Sequence, residues 1–238
     1  MKKSFKRLLA LLIILSTVGG CTLYVCDYYP TDGEAILSCL PEDLSATYEI
    51  SEGGLIVAKP KNPVAGFIFY PGGKVEHSAY LPLAMALAER GVLTVICPMP
   101  LRLAVLDVNA AEGVRELFPE ITDWYIGGHS LGGSMAASYL EGHPDLSGLV
   151  LLGSYSTYDV SGSRVLSIYG SHDGVMQGEK YEKYKSNLPT DLSEVIIEGG
   201  NHAYFGCYGE QTGDGRAEIT NARQITLTAE IISEFIKK

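Results

Sequence analysis

From Val64 onward the chain alternates between two rhythms of apolar residues. The runs "VAGFIFY" and "VLTVIC" are continuously apolar, which fits strands covered on both faces rather than strands with one wet side. Between them, "SAYLPLAMALAERG" spaces its apolar residues as a helix does and stops at Gly91. The order then repeats. "AAEGVRELFP" predicts a short amphipathic helix, "DWYIGG" a strand, and "LGGSMAASYLEGHP" a helix ended by Pro144. "LSGLVLLGS" and "SRVLSIYG" read as strands, "MQGEKYEKYKSNLP" as a helix and "SEVIIEGG" as the last strand. "RAEITNARQITLTAEIISEFIKK" closes the chain as a long amphipathic helix, and "TYEISEGGLIVAKP" ahead of it all reads as a hairpin about Gly53 and Gly54. Strands alternating with helices at short spacing predict an α/β fold, a mostly parallel twisted sheet with helices on both faces.

The first residues follow a different pattern. "MKKSFKRLLALLIILSTVGGC" has a basic start, an apolar core from Leu8 to Leu15, and small residues before Cys21. That is the layout of an export signal. Val18-Gly19-Gly20-Cys21 resembles the processing box of a bacterial lipoprotein, which would put a lipid on Cys21. An uncleaved anchor from Leu8 to Cys26 stands as the alternative, with 19 mostly apolar residues and just enough length to span a bilayer. Simple secretion is the third reading; all three place the domain outside the cytoplasm, and the first two attach it to a membrane through its N-terminus. The organisation is therefore a signal or anchor over residues 1–21, a stem over 22–45, and one domain over 46–238.

Charge narrows the partners. Residues 1–20 hold four basic side chains and no acidic one, which leaves 14 Lys plus Arg against 28 Asp plus Glu, a formal −14, on the rest. Such a surface has no basic face to neutralise phosphates, so nucleic acid is excluded as a partner. Five cysteines fit an oxidising compartment. Cys26 and Cys39 could pair in the stem, Cys97 reads as a buried small hydrophobe, and Cys207 has no obvious partner. No pair has metal-ligand spacing, and no metal or cofactor is expected.

Chemistry concentrates at "YIGGHSLGGSMA", where Gly128, Ser130 and Gly132 form G-x-S-x-G between a strand and a helix. This is the pattern of a nucleophile elbow, a tight turn that exposes the serine oxygen. A serine hydroxyl needs a base, and the base an orienting carboxylate. Asp173, in "SIYGSHDGV", follows a later strand, with Asp159 as the rival acid. His202, in "IIEGGNHAYFG", follows the last strand through two glycines and fits better than His77, His129, His143 or His172. The oxyanion of an acyl-transfer intermediate needs backbone donors. The Leu131 N–H at the head of the following helix supplies one, and the loop "PGGKV" supplies the other through Gly73, with Lys74 next.

From Val64 to the C-terminus the chain resembles the α/β-hydrolase superfamily, in particular a bacterial branch related to dienelactone hydrolases. The stretches "YPGGKV", "PMPLRLAVL", "GGHSLGG", "IYGSHDGV" and "EGGNHAYFGCYG" carry the resemblance. It implies a serine hydrolase of carboxylesterase type acting on a small-molecule ester. Ser130 stands where dienelactone hydrolases have a cysteine, so their lactone substrate does not carry over. Only "SYSTYDVSG" separates two strands where many relatives insert a lid. The site is therefore expected to be open, bordered by Tyr155, Tyr158, Tyr204 and Phe205. A peptidase or acyltransferase would use the same triad, and a membrane-tethered, non-catalytic binding protein is the reading from another class.

Overall fold

The computed structural model describes residues 2–41 and 44–238. Helix α1 runs over Lys2–Cys26 and helix α2 over Gly33–Cys39. The sheet begins with the hairpin β1 (Thr47–Ile50) and β2 (Ile56–Lys59), followed by β3 (Ala65–Tyr70), helix α3 (Leu81–Ala88) and β4 (Val92–Ile96). Then come β5 (Trp124–His129), α4 (Leu131–Gly142), β6 (Gly148–Leu152), β7 (Val165–Gly170), α5 (Gly178–Tyr184), β8 (Ser193–Ile197) and α6 (Asn221–Lys237). The eight strands form one sheet in the order β1-β2-β4-β3-β5-β6-β7-β8. The pairs β1–β2 and β2–β4 are antiparallel, and every later pair is parallel.

Both faces of the central strands are apolar because both are covered. On β3, Phe67 and Phe69 point into a core shared with Leu83 and Leu87 of α3 and Ile225 and Ile232 of α6. Ile68 and Tyr70, one residue out of phase, join Met135, Ala136 and Leu140 of α4 on the other face. This period of two on a doubly buried strand explains the unbroken apolar run in the sequence.

Two local expectations change. The segment read as an amphipathic helix near residue 112 is a series of turns with only a short 3₁₀ piece, Arg115–Leu117. Gly113, in its middle, has φ 75°, a left-handed conformation that an α-helix does not contain. The segment read as a stem is also built onto the domain. Asp32 caps α2, accepting from the Glu34 and Ala35 amides, and Tyr29 makes a parallel bridge with Val75. Among the described residues no helix is long and apolar enough to cross a membrane, so the spanning alternative for Leu8–Cys26 gains no support. The side chain of Cys21, the expected lipid site, lies outside the described residues.

Parallel strands bring their carboxyl ends to one edge of the sheet. The segments leaving β3, β5, β6, β7 and β8 therefore meet there, which is where ligands bind in open α/β sheets.

Candidate active site

The turn leaving β5 is as tight as its glycines suggested. Ser130 sits at φ 53°, ψ −120°, a left-handed conformation that costs a non-glycine residue about 1–3 kcal/mol. Its N–H is held by the Leu152 carbonyl at 2.9 Å, and its own carbonyl accepts from Ser154 Oγ at 2.7 Å. A Cβ on Gly128 or Gly132 would overlap the Tyr70 carbonyl at the end of β3. Only with both glycines can α4 start this close to the strand, and that closeness raises the serine above the sheet edge.

Asp173 and His202 come together behind this turn. Asp173 Oδ2 accepts from His202 Nδ1 at 2.8 Å, and both side chains are almost wholly buried. The other carboxylate oxygen accepts the Val175 and Met176 amides at 2.9 and 2.8 Å. The carboxylate therefore has its partners fixed before any substrate arrives, and it commits the Nδ1 proton of the imidazole. His202 Nε2 is left as the acceptor nitrogen, buried and without a hydrogen-bond partner among the described residues. Gly153, leaving β6 at φ 51°, packs against the pair, with a Cβ there placed 2.9 Å from His202 Nδ1 and 3.0 Å from Asp173 Oδ2. The rival acid Asp159 lies elsewhere and accepts the Ser161 amide in its own turn.

Gly73 and Leu131 are neighbours, since a Cβ on Gly73 would be 3.1 Å from Leu131 Cδ2. As the first residue of α4, Leu131 has an N–H with no intrahelical acceptor. The Gly73 N–H donates to no backbone carbonyl or side chain within the described residues. Lys74 departs from expectation. Its N–H is donated to the Arg102 carbonyl at 2.8 Å, because the loop turns left-handed there, with φ 62° at Lys74 and 60° at Arg102. That amide is not available to an oxyanion. The Gly72 N–H is also taken, by the Tyr80 hydroxyl at 3.1 Å.

The stem reaches this loop. The Tyr29 N–H donates to the Lys74 carbonyl at 2.8 Å, and the Lys74 ammonium pairs with Asp27 at 2.8 Å. The Arg102 guanidinium sits over the Tyr28 ring, its Cζ 3.5 Å from the ring centroid.

A pocket of about 250 Å³ opens beside Ser130, walled by Leu131, Ser134, Tyr155, Val175 and Met176. Of the four aromatic residues expected at its border, only Tyr155 lines it, stacked on Tyr184 at 5.6 Å. Tyr158 instead packs on the apolar core of the α4 face. The short helical turn Ala203–Phe205 after His202 drives Phe205 inward, where its ring lies 5.5 Å from His129, and the residue is fully buried. Tyr204 faces a separate cleft of about 450 Å³ with Asn201 and Asp214.

Two residues that the sequence did not single out, and His129, which it set aside as the base, organise this edge. Asp214 receives the Gly174 amide from the acid loop at 3.0 Å, and from the base loop the amides of His202 at 3.2 Å and Ala203 at 2.8 Å. Gln224 of α6 clamps the peptide before His202, donating to the Asn201 carbonyl at 2.7 Å and accepting its N–H at 3.0 Å. His129 is buried, with Nδ1 2.8 Å from the Tyr80 hydroxyl and its ring 4.4 Å from that of His202. Burial, and next the nearby His202, hold the His129 imidazole well below its usual range, so it is neutral. Among the described residues no three His, Cys, Asp or Glu side chains converge as a metal site requires.

The family profile described as "Alpha/beta hydrolase family" matches residues 66–226. Among curated proteins none matches this chain. Solved structures with the same fold include TT1662 from Thermus thermophilus, at 15% identity and TM-score 0.59, with 81% of this chain and 99% of that one covered. Est1E from Butyrivibrio proteoclasticus aligns at 18% identity and TM-score 0.57, covering 81% and 99%. The esterase domain of a Rhodothermus marinus protein aligns at 12% identity and TM-score 0.57, covering 80% and 96%.

Proposed function

This chain belongs to the alpha/beta hydrolase family, and on that premise we propose that it is a serine esterase acting through an acyl-enzyme on Ser130. The observation that carries this reading is the buried Asp173–His202 pair, whose Nε2 has no partner, set behind a left-handed serine turn. In the reaction, Ser130 Oγ attacks the ester carbonyl and passes its proton to His202 Nε2, while Asp173 stabilises the imidazolium. The negative charge on the carbonyl oxygen is met by the Leu131 and Gly73 amides, the first also at the positive end of the α4 dipole. His202 then protonates the leaving alcohol, and water, activated by the same nitrogen, releases the acid. The esterase domain from Rhodothermus marinus, which has the same fold, supports the choice of an ester over an amide.

The size of the pocket beside Ser130 supports a short acyl or alcohol group. Residues 153–164, between β6 and β7, contain no helix that could act as a lid. The five sequence stretches favour affiliation with the branch related to dienelactone hydrolases, with serine replacing cysteine. The basic start and apolar core before Cys21 favour an exported lipoprotein, with substrate met at the cell envelope.

The direct test is labelling by a fluorophosphonate probe together with an ester panel. Ser130→Ala is expected to abolish labelling and lower kcat about a million-fold, His202→Ala nearly as much, and Asp173→Asn somewhat less. Ester hydrolysis near the wild-type rate in Ser130→Ala would overturn the reading.

A further inference from the structure

The four described cysteines outside Cys21 are all free thiols, but they are not alike. Cys26 is exposed at the end of α1. Cys97 is buried in the core on the α4 face of the sheet. Cys39 and Cys207 are buried together in the other core, against α3 and α6. Cys39 is the last residue of α2, and the start of that helix is tied to Cys207 through the Asp32 N–H, which donates to the Cys207 carbonyl at 2.9 Å. The two thiols are neighbours, each the largest influence on the other's ionisation, and the Cys207 thiol donates to Asn221 Oδ1 at 3.4 Å. Cys207 lies five positions after His202, so its backbone belongs to the segment that carries the imidazole.

We propose that Cys39 and Cys207 form a disulfide that fastens α2 to the loop of His202 when the chain folds in an oxidising compartment. The oxidant is an exchangeable disulfide, that of a thiol oxidase or of oxidised glutathione. The Cys39 thiolate attacks one of its sulfurs, forming a mixed disulfide and expelling one thiolate. Cys207, after giving up its proton, attacks the Cys39 sulfur and expels the second. Two protein thiols are oxidised by two electrons, the oxidant's disulfide is reduced to two thiols, and the protons are conserved.

The asymmetry of the pair assigns the order. The neighbouring Cys207 thiol, its largest cause, lowers the Cys39 thiol to about 7 once the two have come together, so a fraction is thiolate at neutral pH, while the same proximity raises Cys207. Both sulfurs are covered in the folded domain, so exchange takes place as α2 docks. Pairing of Cys26 with Cys39, the expectation from the sequence, would have to draw Cys39 out of this core.

The bond does not depend on the chemistry of Ser130, and its test reads no activity. The full chain is recovered from an oxidising compartment, or refolded with oxidised glutathione. It is then alkylated under denaturing conditions and digested. A linked peptide joining Cys39 and Cys207, with Cys97 alkylated, is the expected result. Alkylation of both Cys39 and Cys207, or a Cys26–Cys39 peptide, would overturn the proposal. A second measurement follows thermal unfolding. Dithiothreitol should lower the wild-type midpoint by roughly 10 °C, as expected for a bond closing so long a loop, and leave that of the Cys39→Ser, Cys207→Ser double variant unmoved. If the double variant does not fold, the peptide map decides alone.

Discussion

The Asp214 carboxylate accepts the backbone N–H of His202 at 3.2 Å while the same oxygen accepts that of Gly174 at 3.0 Å. One side chain thus spaces the loop of the acid against the loop of the base. Asp214→Ala leaves several amides unpaired and is expected to cost about 1–3 kcal/mol of stability. Its effect on rate should be larger in kcat than in KM, with a drop of roughly 100-fold from a misplaced imidazole. Asp214→Asn, which keeps one acceptor oxygen, should recover part of it. Steady-state kinetics on both variants check this. Equal, small effects in kcat and KM would reduce Asp214 to a structural residue.

Gly153 is the floor under the Asp173–His202 pair. Gly153→Ala would put a methyl 2.9 Å from His202 Nδ1 on a residue with φ 51°, so the pair must shift. A roughly 100-fold loss in kcat is expected, with the midpoint of urea unfolding lowered as well. Probe labelling of Ser130 at the wild-type rate in this variant would show that the pair has room to move.

His129 predicts how stability responds to acid. Its folded-state pKa lies well below the usual 6.5, so below that value the unfolded chain takes up a proton that the folded chain does not. Stability is unaffected by this group above about pH 7 and falls as pH drops below 6.5, with a slope of up to about 1.4 kcal/mol per pH unit. Urea unfolding of wild type and His129→Asn between pH 7 and pH 5 measures it. The variant should show the shallower fall, and parallel curves would rule this group out as the cause.

The pocket beside Ser130 sets a ceiling on chain length. Each buried methylene contributes roughly 0.8 kcal/mol, but only where a wall removes it from water. With about 250 Å³ and walls from Leu131, Tyr155 and Met176, kcat/KM on p-nitrophenyl esters should peak between acetyl and butyryl. It should show no activation at a lipid–water interface. A clear preference for chains of ten or more carbons would place the acyl group in a groove other than this one.

The fold was legible because covered strands and one-sided helices leave different apolar periods, and β3, α4 and α6 each follow theirs. The elbow was legible for a local reason: Gly128 and Gly132 are required by contacts a few residues away. Asp173 and His202 could be ranked by their places after β7 and β8. Residues whose roles rest on distant partners were not legible. Nothing near Asp214 or Gln224 in sequence announces which amides they hold. The amide of Lys74 resembled that of Gly73 until Arg102, on another loop, was found to occupy it. The inward turn of Phe205 and the pairing of Cys39 with Cys207 also depend on which face of the core each segment meets.

The contacts of Tyr29 and Asp27 with Lys74 bear on where the protein can be cut. A shortened version designed from the sheet alone would start near Thr47 and discard them. The loop that carries Gly73 would then lose the strand-like support of Tyr29 on one side and the ion pair of Lys74 on the other. The smallest piece that preserves the geometry of that loop begins ahead of Asp27, so the natural trimming point lies before the end of α1 and not at the edge of the sheet.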